Sequence, residues 1–339
     1  MAAKVLLTGV TGFLGSHTTI KLLNKGYEVT GTLRNMNRAE EIKQIIAQHA
    51  PIEKLSFAQA DLMDEQVWSK IIPGHEYVLH IASPFPRTLP KNDDELVIPA
   101  KKGTLSVLQA AAKNGVKRVV LTSSSGAVTY GKSPTERSKL FTEEDWTDES
   151  NIKDSTPYFR SKTIAEKAAW DFIKNDDSGM ELTVICPSAI LGPVLEKDFG
   201  TSANIVIKTM DGSSPAIPRL GFDISDVRSI ADLHIKAMEL PKAAGERFIG
   251  GGGYLSFKDV ADILREQYPE RKIPKAMLPN FMVRLISMID PTLKPILIDL
   301  GVERKVDNSK AKSMLGWEPI SNKEAVLACA EGVIAQGLV

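Results

Sequence analysis

KVLLTGVTGFLGSHTTIKLL, residues 4–23, decides how this chain folds. The apolar run Val5–Thr8 reads as a buried strand, and helical periodicity follows over Gly12–Lys25. Between them Gly9, Gly12 and Gly15 stand three residues apart. Glycines at such a turn let the backbone bend sharply and approach an anion, and they let the helix pack against the strand. A helix N-terminus aimed at that point favours negative charge. A strand, a glycine turn and a helix in this order are expected at the pyrophosphate-binding end of a dinucleotide site, the other reading being a structural turn. The run is broken by glycines and threonines and is too short to span a bilayer.

From this unit the pattern continues outward. Further short apolar runs at Glu28–Leu33, Leu55–Ala60, Tyr77–Ile81, Arg118–Thr122 and Leu182–Cys186 read as strands. Helical segments at Arg38–His49, Val97–Asn114 and Tyr158–Lys174 separate several of them. Alternation of this kind predicts an α/β chain with a doubly wound parallel sheet, whose ligands gather at the carboxyl ends of the strands. After Pro187 the rhythm changes: Pro193, Pro215, Pro218 and Pro241 interrupt it, and helices are expected at Ser256–Gln267 and Asn280–Met288. A short strand at Arg247–Ile249, with the glycines at 250–253, returns the chain to the sheet edge. The expected division is a nucleotide-binding domain over residues 1–187 with a return strand near 225–253, and a smaller C-terminal substrate lobe from 188–224 and 254–339.

Composition narrows the function. With 339 residues, 43% hydrophobic, the chain can bury a sizeable core. Its 42 basic and 42 acidic residues are interleaved, which argues against nucleic acid or an anionic membrane as partner. Two cysteines are too few for a disulfide framework or a thiolate zinc site, so a reducing cytoplasm is expected. The five histidines include no pair at metal-ligand spacing, and no metal is expected. His80, at the end of an apolar strand, reads as a core histidine, and His234 follows Asp232, taken as a helix N-cap.

The second strand ends in Thr32-Leu33-Arg34, with no carboxylate where an NAD site presents one to the ribose. Arg34 and Arg38 suit a 2′-phosphate instead, so the expected cofactor is NADP(H). Asp61, followed by Leu62, is either an acceptor for the adenine amino group or a helix N-cap.

Three features fall at later strand ends: Thr122-Ser123-Ser124-Ser125, the pair Tyr158 and Lys162 behind Pro157, and Cys186-Pro187-Ser188. Tyr158 and Lys162 are four apart and share a helix face. Carbonyl reduction needs a proton as hydride arrives, and a free tyrosine, with pKa about 10, holds its proton tightly. A neighbouring ammonium stabilises tyrosinate, so Lys162 is expected to lower the Tyr158 pKa. A serine, Ser124 with Ser123 and Ser125 as neighbours, would donate to the carbonyl oxygen.

The ordered motifs TGVTGFLG (8–15), TLRN (32–35), DL (61–62), HIASP (80–84), IPAKKGT (98–104), LTSSSGAV (121–128), YFRSKTIAEKAAW (158–170), CPSAILGP (186–193) and DNSKAKSMLGWEP (307–319) resemble the extended short-chain dehydrogenases/reductases. The likeness is to the dihydroflavonol reductase, cinnamoyl-CoA reductase and yeast-type methylglyoxal/aldehyde reductase branch of the NAD-dependent epimerase/dehydratase family. It implies a Rossmann-type fold, Ser124, Tyr158 and Lys162 as the catalytic set, Phe13 and Leu14 at the pyrophosphate, Ala82 and Ser83 near the cofactor, and Pro187 and Ser188 at the nicotinamide. Thr122 and Ser123 belong to the same cofactor-facing set. Thr129 stands where flavonoid reductases carry asparagine, and Phe-Arg-Ser after Tyr158 departs from the plant cinnamoyl-CoA signature. The implied activity is NADPH-dependent reduction of a small aldehyde or ketone. Phe85, Thr129, Tyr130, Leu191 and the Ser213–Leu220 loop are candidate pocket walls. A nucleotide-sugar epimerase or dehydratase, a hydroxysteroid dehydrogenase and a non-catalytic dinucleotide sensor are the rival readings. The chain is expected to act as a monomer, or as a homodimer through Val97–Asn114 and Tyr158–Lys174.

Overall fold

The computed structural model describes residues 3–84, 90, 92–197, 199–213 and 215–339; Phe85, named above as a pocket wall, lies outside them. Seven parallel strands make the main sheet: β1 (Lys4–Thr8), β2 (Glu28–Leu33), β3 (Leu55–Gln59), β4 (Tyr77–His80), β5 (Arg118–Thr122), β6 (Glu181–Pro187) and β9 (Arg247–Gly250). Two strands, β7 (Ala189–Leu191) and β8 (Gly221–Asp226), intervene in sequence; β8 pairs with β7 on one side and with β10 (Tyr254–Ser256) on the other, making a separate three-stranded sheet. In space the main sheet runs β9-β6-β5-β4-β1-β2-β3. The order reverses direction between β1 and β4, which opens a crevice at their carboxyl ends.

Helices cover both faces, as a parallel sheet requires. On one face α1 (Phe13–Asn24), α2 (Ala39–Ala47) and α7 (Val227–Glu239) bury Leu22, Ile42, Ile46, Ile230 and Leu233 against Val5, Leu7 and Val29. On the other, α3 (Glu65–Ile71), α4 (Asp94–Lys113) and α5 (Pro157–Lys174) bury Trp68, Val107, Ala111 and Ala169 against Leu6, Val78, Val119 and Leu182. Helix α4 starts three residues before the expected Val97 and runs through Pro99. Helix α7 is capped by Asp226, whose side chain accepts from the Arg228 N–H. Asp232, read above as that cap, instead lies inside α7 and pairs with Lys21 at 3.1 Å.

The C-terminal segments form α6 (Asn204–Met210), α8 (Phe257–Gln267), α9 (Asn280–Ile289), α10 (Ser309–Leu315) and α11 (Asn322–Ala335). A second apolar core joins Leu191, Val206, Ile224, Val260, Leu264, Val326 and Val333, and so gathers α6, α8 and α11 around the small sheet. Helix α10, which sequence position groups with the lobe, packs otherwise: Ala311, Leu315 and Trp317 belong to the cluster around α1 and α7. The Trp317 indole N–H donates to the Ser229 carbonyl at 2.8 Å. Among the described residues no helix is long and apolar enough to cross a membrane.

Candidate active site

The first strand end carries the glycine turn. Gly12 is the N-cap of α1 with no side-chain hydrogen bond, and the first turn, beginning Phe13-Leu14-Gly15, holds no acid, so the positive helix end is left for an anion. Gly9 takes φ +77°, which favours glycine, and a Cβ there would stand 3.1 Å from Ala82 Cα. A Cβ on Gly15 would stand 2.0 Å from the Gly9 carbonyl oxygen, so helix and turn close directly on each other. At Gly12 a Cβ would meet only the Gly9 oxygen, at 3.4 Å. Its hydrogen therefore faces the space a ligand can use. The Ala82 N–H donates to Thr8 Oγ1 at 3.0 Å, and His80 Nδ1 lies 2.9 Å from the same oxygen, which ties the ends of β1 and β4 together. These features fit a bound dinucleotide.

At the end of β2, Arg34 is exposed, while its own carbonyl accepts from Gln59 Nε2 at 3.1 Å. Arg38 is partly buried and paired with acids, with Glu41 at 3.2 Å and with Glu196 from the loop after β7. The two arginines thus differ: one is presented to solvent, the other already holds carboxylates. Asp61 is exposed and its Oδ1 accepts from the Met63 N–H at 2.8 Å, whereas the N-cap of α3 is Asp64. Leu62 packs beside Gly103 of α4.

The catalytic candidates meet at the ends of β5 and β6. Pro157 occupies the first turn of α5, Thr156 caps it, and the helix then carries Tyr158 and Lys162 on one face. Lys162 is buried, and its Nζ donates to the Thr122 carbonyl at 3.1 Å. Tyr158 is half-buried and hydrogen-bonded to the Ser124 hydroxyl, which also accepts from the Gly126 N–H at 3.0 Å. This distinguishes the three serines. Ser123 turns inward, donating to buried Glu166, and the Ser125 carbonyl accepts from the Val128 and Thr129 N–H groups. Ala82, Ser83, Thr122, Ser123 and Lys162 line one cavity, together with Thr104 and Glu166. Pro187 pairs with Gly250, and the Ser188 N–H donates to the Gly250 carbonyl at 3.1 Å, which fixes the end of β6 against β9.

Burial governs the electrostatics. It pushes the Tyr158 hydroxyl up to about 12, with the Ser124 bond pulling the other way. The lowering expected from Lys162 does not emerge in this arrangement, and Tyr158 rests protonated. Burial brings Lys162 down to about 8, opposed by the charge of buried Glu166. It takes His80 to about 3 and His234 to about 4, so both are neutral at pH 7.

The candidate pocket walls lie deeper than their sequence positions suggested. Thr129 is buried, its hydroxyl donating to the Ser125 carbonyl at 3.2 Å. Buried Tyr130 stacks on Phe159 at 3.9 Å between ring centres and donates to Asp299 at 3.2 Å. Leu191 sits in the second apolar core. Sequence reasoning missed Glu166, Arg247 and His234. Glu166, one turn after Lys162 on α5, was readable from spacing alone; His234, whose Nε2 meets Thr122 Oγ1 at 2.8 Å, was not.

Comparison with known proteins agrees with this geometry. The family model described as the NAD dependent epimerase/dehydratase family matches residues 5–248. Cinnamoyl-CoA reductase CAD2 of Medicago truncatula is 31% identical over 317 residues, covering 91% of this chain and 96% of the relative. Ketoreductase azaE of Aspergillus niger is 34% identical over 341 residues, covering 93% of each. The crystal structure of yeast methylglyoxal/isovaleraldehyde reductase Gre2 complexed with NADPH superposes with TM-score 0.81 at 30% identity, covering 99% of this chain and 100% of that one. With its glycine turn, its Tyr158/Lys162 pair and a family match across most of its length, this chain belongs to the NAD dependent epimerase/dehydratase family.

Proposed function

We propose that the chain is an NADPH-dependent carbonyl reductase, converting a small aldehyde or ketone into the alcohol. The observation that carries this reading is the convergence of Ser124, Tyr158 and Lys162 on strand ends beside the uncapped start of α1. NADPH, when bound, supplies the hydride.

Residues of the chain do the rest. In this reading the N–H groups opening α1 receive the pyrophosphate and Arg34, exposed at the end of β2, receives the 2′-phosphate. Tyr158, protonated at rest, gives its proton to the carbonyl oxygen as charge develops there. The Ser124 hydroxyl donates to the same oxygen and steadies it. Lys162, held by the Thr122 carbonyl, places an ammonium beside the tyrosine as it becomes tyrosinate.

Support for the substrate class comes from the relatives, whose names include cinnamoyl-CoA reductase, ketoreductase and methylglyoxal/isovaleraldehyde reductase. The presence of both Tyr158 and Lys162 argues against a sensor without chemistry. In this reading the enzyme works in the cytoplasm as a monomer or homodimer, on a small molecule and with no nucleic-acid partner. The purified protein is expected to oxidise NADPH in the presence of methylglyoxal or isovaleraldehyde, with NADH much slower. Absence of NADPH oxidation across a panel of aldehydes, ketones and hydroxysteroids would overturn the reading.

A further inference from the structure

We infer that Glu166 is a positioning residue of the catalytic site, a buried carboxylate that orients the end of β5 and serves as the fixed counter-charge for Lys162. The inference rests on the reductase reading and deepens it.

Glu166 is fully buried, one helical turn after Lys162 on α5, and the two line the same cavity. Its carboxylate receives one group from each of three strands, besides the Trp170 indole N–H of α5 at 3.3 Å. Ser123 Oγ donates to Oε2 from the end of β5. Cys186 Sγ lies 3.7 Å from Oε2, from β6. Arg247, on edge strand β9, contributes Nε at 2.6 Å to Oε1 and Nη2 at 3.2 Å to Oε2. Arg247 is held in turn: it donates to the Glu143, Asp145 and Ala127 carbonyls, and its guanidinium lies 3.9 Å from the Trp146 ring centre.

A purely structural ion pair has no need to sit here. Replacing a buried pair by apolar residues is often neutral or stabilising, so a buried pair beside Lys162 points to a role other than stability. That role is electrostatic. Burial lowers the Lys162 pKa to about 8, and of the groups facing it Glu166 favours its charged form, whereas the Cys186 thiol, itself pushed up by burial to about 12, and neutral Tyr158 and His80 contribute no counter-charge. Arg247 holds both oxygens of the Glu166 carboxylate in place, one through Nε and one through Nη2. The same carboxylate takes the Ser123 hydroxyl, which leaves Ser124 to face Tyr158.

The test compares Glu166→Gln, and the double variant Glu166→Gln/Arg247→Met that removes the Arg247 guanidinium together with its carboxylate, with the parent enzyme. The readout is the pH profile of kcat for isovaleraldehyde with saturating NADPH. Loss of the carboxylate lowers the Lys162 pKa, so the ammonium is lost earlier as pH rises. The alkaline limb of the profile is expected to move down by about one unit, with KM for NADPH within about twofold. A folded variant with the parent profile would overturn the inference, as would failure of both variants to fold, since the pair would then be structural. Tyr158→Phe is measured alongside. If it keeps its turnover, the reductase reading fails; if it is inactive while the Glu166 variants keep the parent profile, only the role of Glu166 fails.

Discussion

Lys162 Nζ stands 3.1 Å from the main-chain oxygen of Thr122, so helix α5 and strand β5 are joined at this lysine. Thr122 is itself fixed through its hydroxyl to His234 of α7, 2.8 Å away. The lysine is thereby positioned from both faces of the sheet. Lys162→Met removes the ammonium but keeps the apolar stem. It is expected to lower kcat by about a hundredfold or more while the thermal midpoint changes little, because the charge that stabilises tyrosinate is lost and packing is kept. Steady-state kinetics beside a melting curve checks both halves.

Two glycines of the first turn should fail for different reasons. In Gly15→Ala the new Cβ would fall 2.0 Å from the Gly9 carbonyl oxygen, a backbone atom that cannot swing aside. The expected cost is about 2 kcal/mol or more in stability, read as a lower urea midpoint. Gly12 has φ −83° and ψ 158°, open to any residue, and its Cβ would find ordinary contact distance at 3.4 Å. Gly12→Ala should therefore fold normally and lose NADPH affinity, measured by fluorescence titration.

Arg34 and Arg38 separate cofactor choice from local structure. Exposed Arg34 is expected to act on the 2′-phosphate alone, so Arg34→Ala should raise KM for NADPH by about tenfold, about 1.4 kcal/mol, and leave NADH unchanged. Arg38→Ala breaks the pairs with Glu41 and Glu196 and should also lower the thermal midpoint. An Arg34→Ala enzyme with an unaltered preference for NADPH would contradict the assignment.

Stability should fall in acid. His17, His80 and His234 are held neutral by burial, at about 4, 3 and 4. In the unfolded chain they bind protons near pH 6.5, so the unfolded state takes up more protons as pH falls from 6.5 to 4, and folding weakens. Asp223 and Asp299, raised by burial to about 6, act oppositely: their share of stability is present below pH 4 and lost as pH rises through 6. Three histidines against two carboxylates leave a net loss on acidification. Urea midpoints between pH 7 and 4.5 should decline, and less steeply in His234→Gln.

What the sequence disclosed follows the range of its interactions. Strand ends, the glycine turn and the Tyr158/Lys162 pair are local patterns, set by alternation, by backbone freedom and by a helical turn, and all are present in the fold. Interactions across long separations were not legible. Arg247 meets Glu166 81 residues away, Arg38 meets Glu196 158 residues away, and Tyr130 meets Asp299 169 residues away. Only the folded chain brings such partners together, so Arg38 read as a free cation and Tyr130 as a pocket wall. Asp232 illustrates a smaller version: cap chemistry was sought in the right helix, but Asp226, six residues earlier, performs it.

The central claim is that the chain reduces carbonyls with a proton from Tyr158. Its most direct test is the rate of NADPH oxidation with isovaleraldehyde by Tyr158→Phe, which keeps the ring and removes the proton. The account predicts a fall in kcat of about a hundredfold to ten-thousandfold with NADPH binding preserved. A Tyr158→Phe enzyme that turns over at the parent rate would contradict it.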